Sequence, residues 1–201
     1  MRIGVLALQG DIQAHERVLD RLAASWREVR RPSELQDLQG LVLPGGESTT
    51  MWHFLRGNGL DRALLDFAAC GGALFGTCAG AILLAREVLN PSGPGLGILD
   101  ITVQRNGYGR QTESRVAAAQ TIDPVQPHIE TVLIRAPRIL RAGRKVTVRA
   151  RLDGEPVWVE EGCAMATTFH PELSDDLRVH RRFLELARLA PSFRLPVGLV
   201  A

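Results

Sequence analysis

Lysine is nearly missing from this chain: Lys145 is the only one, and every other basic residue is arginine. An excess of one charge is missing too. The 24 basic residues against 22 acidic ones leave a formal net charge of +2. That balance supplies no general attraction to nucleic acid or to an anionic membrane. Cysteine is sparse and odd in number. Cys70, Cys78 and Cys163 make no C-x-x-C pair. A disulfide framework and a paired-cysteine zinc site are therefore excluded, and free thiols in a reducing cytoplasm are the simpler expectation. The N-terminal run Ile3–Leu8 meets Asp11 too early for a secretory signal. Repeats and low-complexity tracts are absent, and no Gly-Lys-Ser/Thr follows a glycine-rich loop, which excludes a P-loop.

One uncharged stretch exists, from Phe67 to Ala85, with Gly72, Gly76 and Gly80 at four-residue spacing. It barely reaches membrane-spanning length, and Gly71-Gly72 interrupts it. Helix, Gly-Gly stop, buried strand, tight turn and buried helix is the better parsing. With 45% apolar residues and 23% charged over 201 residues, the chain can bury a core without staples. No domain boundary is visible, so residues 1–201 read as a single domain.

Periodicity gives β-α alternation in the first half. Strands are expected at Ile3–Leu8, Trp26–Arg30, Gly40–Leu43 and Ala73–Phe75. Helices are expected at Ile12–Ala24, Ser48–Leu55, Leu60–Ala69 and Ala79–Glu87, with a short helix capped by Ser33 and Gln36. After the Pro/Gly-rich loop Asn90–Gly97 the runs are strand-like: Ile101–Gln104, Arg115–Ala119, Thr131–Ile134, Val146–Leu152, Val157–Val159 and Ala164–Phe169. A last helix follows Ser174-Asp175-Asp176, with Leu177, Phe183, Leu184, Ala187 and Leu189 on its apolar side. The fold class is α/β, a mostly parallel mixed sheet covered by helices on both faces. Lys145, Arg149 and Arg151 fall on one strand face, expected to be solvated, with an acidic partner as the sharper alternative.

Chemistry concentrates in three segments. Gly76-Thr77-Cys78-Ala79-Gly80 follows a strand and opens a helix. Small neighbours allow a sharp turn that lifts the thiol out of the sheet, as in a nucleophile elbow. Unpaired amides at a helix start also favour a thiolate. Cys70 and Cys163 lack such a setting and read as packing residues. A thiolate needs a base with an orienting group. His15 and His180 read as solvated helix residues, His53 as exposed or structural, and His128 as a residue of a proline-rich loop. His170 differs. It ends a strand, where α/β sheets bind ligands, and Pro171-Glu172 follows, so Glu172 can orient the imidazole. A zinc site from Cys78, Cys163 and His170 lacks a close ligand pair. In Pro44-Gly45-Gly46-Glu47-Ser48 the glycines let backbone amides approach an oxyanion. The plainer alternative is an ordinary turn capped by Ser48.

Together, PGGES, GTCAG and FHPEL resemble the class I (triad) glutamine amidotransferase family over nearly the whole chain. Leu8-Gln9-Gly10, PGGESTTM at 44–51, Arg105-Asn106-Gly107-Tyr108-Gly109-Arg110-Gln111 and Leu133-Ile134-Arg135-Ala136-Pro137 are similar to its branch of glutaminase subunits for pyridoxal 5′-phosphate synthase. Arg115 departs from that branch, which usually carries an aromatic there. The resemblance implies a flavodoxin-like three-layer fold and hydrolysis of glutamine to glutamate and ammonia through a thioester. It implies Cys78 as nucleophile, His170 as acid and base, and Glu172 as its orienter. Gly46 and Ala79 amides would hold the oxyanion, with Gln9 tied to organising that hole. Gly46, Glu47, Ser48, Arg105, Ile134 and Arg135 match glutamine-binding positions. A separate synthase subunit in a hetero-oligomer is the implied partner, with no metal or organic cofactor, nucleic acid or membrane. Open alternatives are a glutaminase for another synthase such as the imidazole glycerol phosphate enzyme, a cysteine peptidase or DJ-1-like hydrolase, and a catalytically silent module of the same fold.

Overall fold

The computed structural model describes residues 1–105, 107 and 114–194. Most of the Asn106–Gln111 stretch therefore lies outside the described residues. The main sheet has nine strands. Five are parallel: β1 (Arg2–Leu6), β2 (Ser25–Val29), β3 (Gly40–Leu43), β4 (Ala73–Thr77) and β12 (Ala164–Thr167). Four antiparallel strands extend it: β7 (Arg115–Thr121), β8 (His128–Leu133), β10 (Thr147–Leu152) and β11 (Glu155–Glu161). The order is β2-β1-β3-β4-β12-β11-β10-β7-β8. A second sheet of β5 (Ala85–Leu89), β6 (Leu99–Gln104) and β9 (Arg138–Ala142) is hydrogen-bonded separately and packs against β11, with Ile101, Val103 and Ile139 in one core with Val159.

Every residue of β3, β4 and β12 is buried, as expected of strands covered on both faces. Their side chains alternate between two cores. Leu41, Leu43 and Leu74 join residues of α2 (Ser48–Gly57), α3 (Leu60–Ala69) and α4 (Ala79–Leu84). Val42, Ala73 and Phe75 join residues of α1 (Ile12–Arg21) and α5 (Arg178–Leu189). The result is the three-layer α/β architecture that the alternation predicts. The chain leaves β1 toward β2 on one side and β3 on the other. The crevice at the carboxyl ends of β1 and β3 is thus a topological switch point, where such sheets bind ligands.

Several expectations need correction. The helix expected over Ala79–Glu87 stops at Leu84, because Ala85–Leu89 pairs in parallel with β6. β9 was not expected at all. The short helix at Pro32–Leu35 is a 3-10 turn, and its box is made by Glu34, not by Ser33 and Gln36. The Glu34 carboxylate accepts from the backbone N–H groups of Arg30 and Arg31. Leu189 is 84% exposed, and the buried face of α5 uses Val179, Phe183, Leu184, Leu186 and Ala187. Cys70 is exposed and Cys163 half-buried, so neither is a core residue. On β10 a register shift between Val148 and Ala150 breaks the expected alternation. Arg149 lies 5.6 Å over the Trp158 ring and 3.6 Å from Glu160. Its acidic partner is internal. No helix among the described residues is long and apolar enough to cross a membrane, and the Phe67–Ala85 run divides among α3, a turn, β4 and α4.

Candidate active site

Strand register brings the predicted nucleophile and base together. Thr77 of β4 faces Thr167 of β12. The next residue on one side is Cys78, and His170 ends the loop on the other. The Cys78 N–H donates to Thr167 O at 2.9 Å. Cys78 holds φ 47° and ψ −101° between β4 and α4, a strained elbow of the kind that collects at functional sites. A side chain at Gly80 would come within 2.0 Å of Leu43 O. Glycine there lets the elbow pack against β3.

His170 is buried, and its N–H donates to Val132 O at 2.8 Å. Its Nδ1 donates to Glu172 Oε1 at 2.7 Å. Gly45 leaves room for the ring, since a Cβ there would sit 2.4 Å from His170 Cε1. Burial disfavours the charged imidazole. Hydrogen bonds to Cys78 and Glu172, and the charges of both, outweigh it and raise His170 to about 10. Glu172 sits on the 3-10 turn Pro171–Leu173 with its side chain fully buried. Burial opposes its charge too, but His15 and His170 hold it well below the usual carboxylate range.

A cavity of about 410 Å³ opens over Cys78. Its wall includes Gln9, Gly46, Glu47, Ser48, Ala79, Arg105, Ile134, Arg135 and His170. Every residue to which the resemblance gives a catalytic, oxyanion or glutamine-binding role is there except Glu172, which lies behind His170. Gln9 Oε1 accepts from the Glu47 N–H at 2.8 Å, and the Asp11 N–H donates to Gly45 O at 3.1 Å. The loops after β1 and β3 are thus tied together beside the sulfur. Gly10 permits this contact, because its φ is +110° and a Cβ would meet Gly45 O at 1.8 Å.

Glu47, not Ser48, caps α2. Its carboxylate accepts from the Thr49 and Thr50 N–H groups at 3.0 and 2.7 Å. A hydrogen bond from the Thr50 side chain is the main cause that lowers Glu47 to about 2, against a smaller cost of burial, and the two backbone N–H groups add to it. Arg105 Nη1 donates to Thr49 Oγ1 at 3.0 Å. Asp11, Thr49, Ile82 and Pro91 also line the cavity and were not singled out. Asp11 could have been found as the first acid after the β1 turn. Its Oδ2 is 3.8 Å from His170 Nδ1. Asp11, His170 and Glu172 offer ligand atoms within 4.8 Å of one another. A metal ion there would have to displace the proton that joins His170 to Glu172. His53 is exposed on α2, and His128 begins β8 rather than lying in a loop. His15 and His180, expected in solvent, are fully buried.

The profile of the SNO glutamine amidotransferase family matches residues 5–188. The chain belongs to that family. This amidotransferase is 51% identical over 192 residues to the pyridoxal 5′-phosphate synthase subunit PdxT of Deinococcus radiodurans, covering 93% of this chain and 97% of the relative. Against the Thermotoga maritima PdxT it is 46% identical over 188 residues, covering 94% and 100%. A solved glutamine amidotransferase at 45% identity superposes with a TM-score of 0.87 over 92% of this chain and 98% of that one. The fold therefore agrees with the family on which the sequence motifs converge.

Proposed function

We propose that this chain is the glutaminase subunit of a pyridoxal 5′-phosphate synthase, and that Cys78, His170 and Glu172 are its catalytic triad. Residues 1–201 act as one glutaminase domain, cytoplasmic, in a hetero-oligomer with the synthase subunit and without nucleic acid, membrane or cofactor. The observation that carries this reading is the meeting of Cys78 and His170 on one cavity wall, with Glu172 hydrogen-bonded behind the imidazole.

The Cys78 sulfur attacks the side-chain amide carbon of glutamine. The Gly46 and Ala79 amides hold the oxyanion, and Gln9 organises the Gly46 loop through its bond to the Glu47 N–H. His170 carries a proton at neutral pH because it is raised to about 10. It gives that proton to the departing ammonia as the γ-glutamyl thioester forms. The neutral imidazole then takes a proton from water, which attacks the thioester, releases glutamate and restores the Cys78 thiolate beside the imidazolium. Arg105 and Arg135 are the cations on the wall and suit the substrate α-carboxylate. Glu47, ionised at any physiological pH, suits the α-ammonium, with Ser48 and Ile134 completing the glutamine site. The ammonia passes to the synthase subunit.

Ammonia release from glutamine, titrated with the synthase subunit, tests the reading. Turnover that saturates at a fixed ratio and vanishes in Cys78→Ala is expected. Normal turnover in Cys78→Ala refutes the mechanism. Co-purification with a histidine-pathway barrel in place of the synthase subunit refutes the assigned partner.

A further inference from the structure

Two fully buried histidines lie behind the triad, and the chemistry above uses neither. His15 faces inward from α1 and His180 from α5. His15 Nε2 is 3.4 Å from Glu172 Oε1 and 3.2 Å from Thr77 Oγ1. His15 Nδ1 is 3.0 Å from His180 Nε2. The Nδ1 of His180 is buried without a hydrogen-bond partner, and so is Glu172 Oε2. Phe75 packs edge-on against both rings, with centroids 6.1 Å from His15 and 5.4 Å from His180.

We propose that His15 is a positioning residue for the reaction: its Nε2–H donates to Glu172, and His180 fixes that tautomer by donating its own Nε2–H to His15 Nδ1. The inference rests on the triad reading above. Counting protons carries it. A buried N–H with no acceptor is rare and costly, so the unpartnered Nδ1 of His180 is the bare nitrogen. The single proton of His180 therefore sits on Nε2, where His15 Nδ1 accepts it. His15 then has its own proton on Nε2, shared between Glu172 and Thr77. Burial pushes His180 below the usual imidazole range, so it stays neutral throughout the working range.

The carboxylate thus has two donors, His170 in front and His15 behind. The charged and titratable groups facing this pair are His170, Asp11 from the loop after β1, and His180 from α5. Losing the rear donor frees Glu172 to turn and loosens the imidazole it aims. The same helix also begins beside the Asp11 N–H that holds Gly45 O, so α1 bears on both the base and the Gly46 loop.

Turnover of glutamine by the complex with the synthase subunit is the test, in His15→Leu, His15→Gln and Cys78→Ala. His15→Leu is expected to lower kcat by about ten- to a hundredfold, the worth of one hydrogen bond to a charged group. KM should stay within about twofold, since the lost contact orients the base and does not touch substrate. The acid limb of the kcat profile should move to higher pH, because ionised Glu172 loses a donor. His15→Gln puts an amide N–H near the Nε2 position and should recover most of kcat. Wild-type kcat in His15→Leu, a loss in KM alone, or equal damage in both variants overturns the proposal. In the wild-type protein, imidazole ¹⁵N shifts should report His15 as the neutral Nε2–H tautomer whether or not a variant folds. An Nδ1–H or doubly protonated His15 also overturns it. An active Cys78→Ala would sink the triad reading itself, whereas an inactive one beside a normal His15→Leu sinks only the present inference.

Discussion

Gly45→Ala perturbs the site at its tightest backbone contact. A Cβ on residue 45 would lie 2.4 Å from His170 Cε1, 3.0 Å from its Nδ1 and 3.4 Å from Cys78 Cβ. Carbon contacts settle at about 3.5–4.0 Å, so the ring or the loop must move by roughly 1 Å. The ring has little freedom, because Glu172 holds it at 2.7 Å and the His170 N–H is tied to Val132 O. The loop is likewise pinned by the Asp11 N–H on Gly45 O. Overpacking of this kind costs about 1–3 kcal/mol of stability. A misplacement of that size at a general base costs about a hundredfold in rate. Gly57→Ala is the matched control, since nothing lies within 4 Å of a Cβ there. At the end of α2 it should add up to about 1 kcal/mol of stability and leave turnover unchanged. Ammonia release by the complex and thermal unfolding of the subunit read both effects. Gly45→Ala with wild-type turnover and stability would refute the packing argument.

The pH dependence of stability has a definite sign. His170 rises from its ordinary value near 6.5 to about 10 in the fold, so its contribution is complete below about pH 6.5 and is lost as pH climbs toward 10. His170→Gln should flatten that decline in denaturant midpoints between pH 6.5 and 10, and parallel curves would contradict the assignment. Phe183→Ala empties a fully buried site beside Phe75 and Gly40 and should cost about 3–5 kcal/mol in urea unfolding. Leu189→Ser, on the same helix but exposed, should change stability by less than about 0.5 kcal/mol. Glu47→Ala removes the cap of α2, with an expected loss of about 0.5–2 kcal/mol in unfolding free energy, and it should also raise KM for glutamine in the turnover assay.

Buried parallel strands write themselves as short apolar runs, so β1, β3, β4 and β12 were legible to within a few residues. The elbow at Cys78 and the place of His170 just beyond β12 were legible because glycine or proline marks each. Tertiary pairing decided the rest. Ala85–Leu89 carries a helical pattern continued from α4, and only β6 turns it into a strand. Glu47 took the cap from Ser48 because its longer side chain reaches two amides. His15 and His180 have charged sequence neighbours, and that local polarity hid their burial. The partners of His15 (Thr77, Glu172 and His180) are distant from it in sequence. No local pattern reports a polar contact closed by folding.

The central claim is that Cys78 is the sulfur that meets glutamine. It is tested most directly by treating the complex with a diazoketone analogue of glutamine and mapping the modified residue by mass spectrometry. Cys70 is exposed and Cys163 half-buried, whereas Cys78 is buried at the floor of the cavity. The label should nonetheless fall on Cys78 alone, and excess glutamine should block it. Label on Cys70 or Cys163 with Cys78 untouched would contradict the account.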